Sequence, residues 1–175
     1  MDVLHRVYLL SGGGSMRVIS LDQASLTSGW AVFENGTYVD SGVITKDKKI
    51  PIIQRVPQMA KAICEKIKES NVDVVIIEGI QNQGSIKTTL DLARLQGGIM
   101  MWCEVNQKSL HILSPSEWRS ALKFKLGAKT KRDELKVQAE NYVSEHYKLD
   151  INTDEAESIC INVAAHKIFD LNDDI

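Results

Sequence analysis

The sequence lacks any apolar run approaching the roughly 18 residues that a membrane-crossing helix needs, and its first residues carry no basic start, apolar stretch and cleavage pattern of a secretory signal. A membrane protein or exported protein is therefore not expected; a soluble, cytoplasmic one is. Cysteine is scarce. Cys64, Cys103 and Cys160 are odd in number, show no CxxC spacing and fall in apolar helical contexts, which argues against a disulfide framework or zinc ribbon and predicts reduced core thiols. His5, His111, His146 and His166 have no metal-binding spacing either. Gly127-Ala128-Lys129-Thr130 resembles the end of a Walker loop, but the earlier glycine and a preceding strand are missing, so no nucleotide site is expected there. No internal repeat or low-complexity domain is present.

What remains is a chain of 175 residues with 43% apolar content and a formal net charge of −2, enough for one ordinary core. Ser11-Gly12-Gly13-Gly14-Ser15 has the composition of a flexible linker and precedes a second methionine, Met16. Residues 1–15 are expected to be an appended peptide and linker, and 16–175 a single domain.

From Met16 the pattern reads as three short strands, Arg17 to Asp22, Gly29 to Phe33 and Tyr38 to Thr45, with Asn35-Gly36 as a hairpin turn. Ile53, Val56, Met59, Ala60, Ile63, Cys64 and Ile67 then recur at helical spacing, predicting an amphipathic helix over Ile52 to Glu69. Val72 to Glu78 is a continuous apolar run suited to a central strand covered on both faces, and Leu110 to Leu113 a shorter one. Ser114-Pro115-Ser116-Glu117 is a capping box with proline at the first helical position. Helices over Thr130 to Tyr147 and Thr153 to Phe169 complete an α/β domain with a mixed sheet.

Four acids stand where apolar segments meet polar ones: Asp22 and Glu78 close strands, and Asp154 and Glu157 lie three apart in the first turn of the last helix. Acids in a first helical turn have a plain structural explanation, since they complement the helix dipole. Strand-end acids have none, because an ionised carboxylate taken out of water costs several kcal/mol unless paired or bound to a cation. Adjacent central strands would bring Asp22 and Glu78 together, and the set predicts a divalent-metal site of the Mg²⁺ or Mn²⁺ type. Two ions about 4 Å apart would serve phosphodiester hydrolysis, with Asp22 bridging them, Glu78 on one side and Asp154 and Glu157 on the other.

Four segments around these acids, Ile19-Ser20-Leu21-Asp22 running on to Gly29-Trp30-Ala31-Val32, Val75-Ile76-Ile77-Glu78, Ser114-Pro115-Ser116-Glu117-Trp118-Arg119 and Thr153-Asp154-Glu155-Ala156-Glu157-Ser158, occur in an order and spacing that resembles the RuvC-type Holliday junction resolvases of the ribonuclease H-like superfamily, especially their bacteriophage forms. The resemblance implies a ribonuclease H-like fold with a five-stranded mixed sheet. It implies a homodimeric, Mg²⁺-dependent endonuclease nicking four-way DNA junctions, with Asp22, Glu78, Asp154 and Glu157 as catalytic metal ligands, and, if phage-encoded, work in a bacterial host's cytoplasm. Bacterial members usually carry Asp at the fourth acidic position and an aromatic residue three places after the strand-end Glu. Glu157 and Gln81 stand there instead: the longer Glu157 side chain bears on the geometry of one metal, Gln81 leaves the family's cut-site preference open, and the likeness to phage forms suggests action on several branched DNAs.

Charge is local in this chain. From Glu117 to Lys136 the sequence holds Arg119, Lys123, Lys125, Lys129, Lys131, Arg132 and Lys136 against three acids, a net +4 suited to phosphate attraction beside an acidic centre. Arg119 and Lys131 or Arg132 fall where the family keeps phosphate contacts. The polar segment from Gly79 to Gly84, including Gln81, is a candidate junction-probing loop, and Lys87 is a further candidate DNA contact. Two glycines, Gly97 and Gly98, interrupt the apolar helix around Leu90 to Met101, which predicts close helix packing; in the family the matching helix forms the dimer interface. Alternatives left open are a ribonuclease H-like enzyme acting on RNA or RNA–DNA hybrids, a catalytically silent junction-binding protein, and an actin-like ATPase, for which the chain has no room for a second domain.

Overall fold

A computed structural model describes residues 15–81, 85–127 and 130–171. Residues 1–14 of the expected linker peptide, most of the polar segment after Gln81, and Lys129 lie outside the described residues. The elements are β1 (Arg17–Asp22), β2 (Thr27–Glu34), β3 (Thr37–Thr45), α1 (Ile52–Glu69), β4 (Val74–Glu78), α2 (Ile86–Val105), β5 (Ser109–Leu113), α3 (Pro115–Ala121), α4 (Arg132–Tyr147) and α5 (Thr153–Phe169). The expected order is found, with small shifts at the ends: β2 starts two residues earlier, at Thr27, and α4 starts at Arg132 rather than Thr130. Val72 is buried but precedes its strand.

The five strands form one sheet in the order β3-β2-β1-β4-β5. β1, β2 and β3 pair antiparallel, while β1–β4 and β4–β5 pair parallel. The β2–β3 turn is made by Asn35 and Gly36, both with positive φ (48° and 71°), the backbone a tight hairpin with the right twist demands.

Strand alternation divides the core between two faces. Val18, Val74 and Ile76 point to one side and pack with Trp118, Ala139, Val143, Ala156, Ile159 and Cys160 of α3, α4 and α5. Ile19, Leu21, Val75 and Ile77 point to the other and pack with Val56, Met59, Ile63, Leu95 and Ile99 of α1 and α2. β1 and β4 are thus covered on both faces, which is why their sequences are nearly uninterrupted apolar runs. All three cysteines are free and buried. Ile53, expected on the packed face of α1, is instead 69% exposed, because it faces the groove of about 770 Å³ between α1 and α2 rather than the sheet. None of the described helices is long and apolar enough to cross a membrane.

The buried helix α5 is fixed to the sheet by polar contacts that apolar packing alone would not specify. Ser20 Oγ donates to the Ser158 carbonyl (2.7 Å), and Asn162 Nδ2 donates to the carbonyls of Val18 and Ala31 (3.2 Å each). All three side chains are fully buried. Replacing Asn162 by leucine keeps the branched shape, at somewhat greater bulk, but deprives two buried carbonyls of a donor, at a cost of about 1–3 kcal/mol. Urea denaturation of Asn162→Leu is expected to show that loss as a lowered midpoint at unchanged slope.

Candidate active site

The same alternation aims the strand-end acids. Asp22 follows Val18 and Ser20 on the α5 side of β1, and Glu78 follows Val74 and Ile76 on the same side of the adjacent strand β4. On the other edge of β1, Asp22 pairs with Gly29 of β2. A Cβ at Gly29 would lie 1.9 Å from the Asp154 carbonyl oxygen, so only glycine lets the first turn of α5 rest directly on the β2 backbone. Asn152 caps that turn, its Oδ1 accepting from the Glu155 amide at 3.0 Å. The result is that carboxylate oxygens of Asp22, Asp154 and Glu157 all lie within 4.8 Å of one another.

Glu78 stands beside this trio, gripped from α3. Leu113 pairs with Glu78 across β4–β5, and the capping box at Ser114 starts α3 directly afterwards, so its fourth and fifth residues return to the strand end. Trp118, fully buried, donates Nε1–H to Glu78 Oε1 at 2.8 Å. Arg119 stacks its guanidinium on the Trp118 ring (4.5 Å) and reaches two acids with Nη2: Glu157 at 3.1 Å and Glu78 at 3.8 Å. Its side chain is only 14% exposed, and that of Glu157 only 9%. Arg119, expected as a phosphate contact, is therefore an internal cation of the acidic cluster.

One guanidinium does not balance four carboxylates. Asp22 shows the strain: burial first, then repulsion from Glu78, Glu157 and Asp154, push its carboxyl well above the usual carboxylate range, and attraction to Lys136 opposes this only in part. Oxygen donors this close, with too little positive charge among them, are the chemistry of a hard divalent cation. Asp22, Asp154 and Glu157 could hold one ion, and Asp22 with Glu78 another.

The remaining sequence candidates lie around this centre or on the surface. Lys123, Lys125 and Lys131 are exposed, as are Gln81 and Lys87. Lys125 is anchored through its backbone, which both donates to and accepts from the Gln138 side chain (2.7 and 3.3 Å). Arg132 opens α4, and its side chain is outside those described. Lys136, half-buried on α4, acts on Asp22 and so belongs to the site, although the sequence marked it only as part of a basic stretch. Sequence reasoning did not find the bond from Trp118 to Glu78; its position four residues after the N-cap Ser114 was the available signal. A Cβ added at Gly98 would sit 3.4 Å from Cβ of Ala60 on α1, an ordinary contact, and one at Gly97 would meet nothing within 4 Å, so the close packing expected from these two glycines is not what requires them here.

Comparison with known proteins agrees with this geometry. A family model described as "Crossover junction endodeoxyribonuclease RuvC" matches residues 18–164. Curated proteins of that name from Dictyoglomus turgidum (27% identity, 58% of this chain and 67% of the relative) and Corynebacterium glutamicum (25%, 61% and 51%) are similar. The chain thus spans about half to two thirds of these relatives' lengths. Among solved structures, RuvC of T. thermophilus in complex with a Holliday junction substrate superposes with a TM-score of 0.65 at 14% identity, covering 85% of this chain and 91% of the other. The yeast mitochondrial Holliday junction resolvase Ydc2 gives 0.60 at 14% (96% and 85%), and the fowlpox virus resolvase bound to junction DNA 0.56 at 16% (87% and 99%). At these identities the structural likeness speaks for the fold.

The raised carboxyl of Asp22 has a consequence for stability. The folded protein keeps a proton that the unfolded chain releases near the ordinary value of 3.8, so the metal-free protein loses stability as pH rises from there toward the folded value. Asp22→Asn removes this penalty. In EDTA at neutral pH the variant is expected to melt a few degrees above wild type, the scale on which about 1 kcal/mol registers in a chain of this size, with the gap closing toward acid pH. Melting at or below wild type across the whole range would contradict the electrostatic reading.

Proposed function

Because the chain belongs to the crossover junction endodeoxyribonuclease RuvC family, we propose that it resolves four-way DNA junctions by metal-dependent phosphodiester hydrolysis. The observation that carries the reading is the trio Asp22, Asp154 and Glu157, within 4.8 Å of one another, with Glu78 alongside on the neighbouring strand end. Mg²⁺ suits this all-carboxylate donor set, and Mn²⁺ can substitute. Two ions, when bound, supply an activated water and charge stabilisation at the leaving oxygen.

The protein's own groups prepare that chemistry. Trp118 and Arg119 fix the orientation of Glu78, and Arg119 also holds Glu157. Lys123, Lys125, Lys131 and Arg132 draw the DNA backbone toward a centre that would otherwise repel it. Gln81 and Lys87 lie where a branched substrate would meet the open end of β4.

The partner is a second copy of the chain. Along α2, Leu90 (50% exposed), Ala93, Gly97 and Met101 (68% exposed) share one outward face, apolar and without a bulky side chain at Gly97. A pair of chains joined there matches the two-fold symmetry of a four-way junction and delivers two nicks. Gly97→Arg is expected to convert a dimer to a monomer in sedimentation equilibrium while leaving the fold intact; a monomeric wild type would remove this arrangement.

The activity is tested by incubating the purified protein with a labelled immobile four-way junction, a flap, a plain duplex and an RNA–DNA hybrid, in Mg²⁺ or EDTA. Symmetrically paired nicks on the junction, in Mg²⁺ only, are expected. Cutting confined to the hybrid would overturn the reading, and binding without cleavage even in Mn²⁺ would mark a silent junction-binding protein. Asp22→Asn and Glu78→Gln are each expected to lower cleavage by at least about three orders of magnitude, as loss of several kcal/mol of transition-state stabilisation requires, with junction binding retained.

A further inference from the structure

The parallel ladder between β1 and β4 stops one residue short of the two strand-end acids. Its last pair is Leu21 with Ile77; beyond it, Asp22 pairs with Gly29 of β2 and Glu78 with Leu113 of β5. Past that last pair a side chain continues the link between the two strand ends. Gln23, 7% exposed, donates Nε2–H to the Glu78 carbonyl (2.5 Å) and accepts the Glu78 amide on Oε1 (3.1 Å). The primary amide copies the donor and acceptor of a peptide group, and only one orientation of it satisfies both bonds.

We propose that Gln23 is a positioning residue that extends the link between β1 and β4 past its last main-chain pair and so fixes the separation of Asp22 and Glu78 that a shared cation requires. Its main-chain neighbour is Asp22, and both groups it binds belong to Glu78, so any slack at Gln23 appears directly as slack between these two acids. No other amino acid offers this pair of bonds at this length: asparagine is a methylene shorter, and glutamate presents no donor to the Glu78 carbonyl and adds a negative charge. Groups that hold metal ligands in place typically change metal affinity or turnover about 10- to 100-fold when removed.

The inference rests on the two-ion reading of the site, and the test separates them. Mn²⁺ binding is measured by titration calorimetry on the full chain as wild type, Gln23→Met, Ser28→Ala and Asp22→Asn, alongside junction cleavage in Mg²⁺. Ser28 is the control for mere loosening of the turn, since its hydroxyl ties that turn through Ala24 (3.0 and 2.7 Å) without touching Glu78. Expected are about 10- to 100-fold weaker Mn²⁺ binding and a matching fall in kcat for Gln23→Met, an unchanged KM for the junction, and wild-type metal affinity for Ser28→Ala. Wild-type Mn²⁺ affinity in Gln23→Met, or an equal loss in Ser28→Ala, overturns the clamp and leaves the site standing. A wild type that binds no more Mn²⁺ than Asp22→Asn overturns the site reading itself. If Gln23→Met does not fold, Gln23→Asn decides by the same titration: about 10-fold or weaker Mn²⁺ binding supports the clamp, and wild-type affinity overturns it.

Discussion

The docking of α5 on β1 and β2 is the contact on which the rest of the molecule depends. An apolar helix on an apolar sheet can slide or rotate with little penalty, because burial of hydrophobic surface is non-directional. Here the buried bonds from Ser20 to Ser158 and from Asn162 to Val18 and Ala31 admit only one register, since each unmade bond would strand a polar group in the core. Gly29 allows the helix start to touch the β2 backbone. With that register set, Asp154 and Glu157 arrive beside Asp22 as a consequence of helix periodicity.

The arrangement is held against its own electrostatics. Close carboxylates repel, and Asp22 bears the cost as a carboxyl that resists ionisation. Packing elsewhere holds the acids in place: the sheet fixes Asp22 and Glu78, α5 fixes the other two, and from α3 Trp118 bonds Glu78 while Arg119 spans Glu78 and Glu157. A cation would relieve the repulsion, and the proposed activity uses that same demand for positive charge.

Much of this was legible in the sequence because the relevant signals are local. The capping box at Ser114, the turn at Asn35-Gly36 and the helix limits at Ile52, Glu69, Thr153 and Phe169 each rest on a few neighbouring residues. Asp22 and Glu78 stood out because a carboxylate ending an apolar strand has no structural excuse, and they drew attention to Asp154 and Glu157. What could not be read depends on residues far apart in the chain. Ser20 and Asn162 look like ordinary polar interruptions until their strand and helix are brought together. Gln23 looked like loop, since its partner lies 55 residues away. Arg119 was marked for its charge, but whether it faces DNA or the acids is decided by the short path from Leu113 into α3. Ile53 followed the helical period and still ended exposed, because periodicity identifies an apolar face without saying what covers it.

The most direct measurement is a crystal structure of the chain soaked in Mn²⁺, with the ions located by anomalous scattering. Two peaks are expected about 4 Å apart, one coordinated by Asp22, Asp154 and Glu157 and the other by Asp22 and Glu78. Strong Mn²⁺ peaks elsewhere, with none in contact with Asp22, would contradict the proposal that these four acids form a metal-dependent nuclease centre.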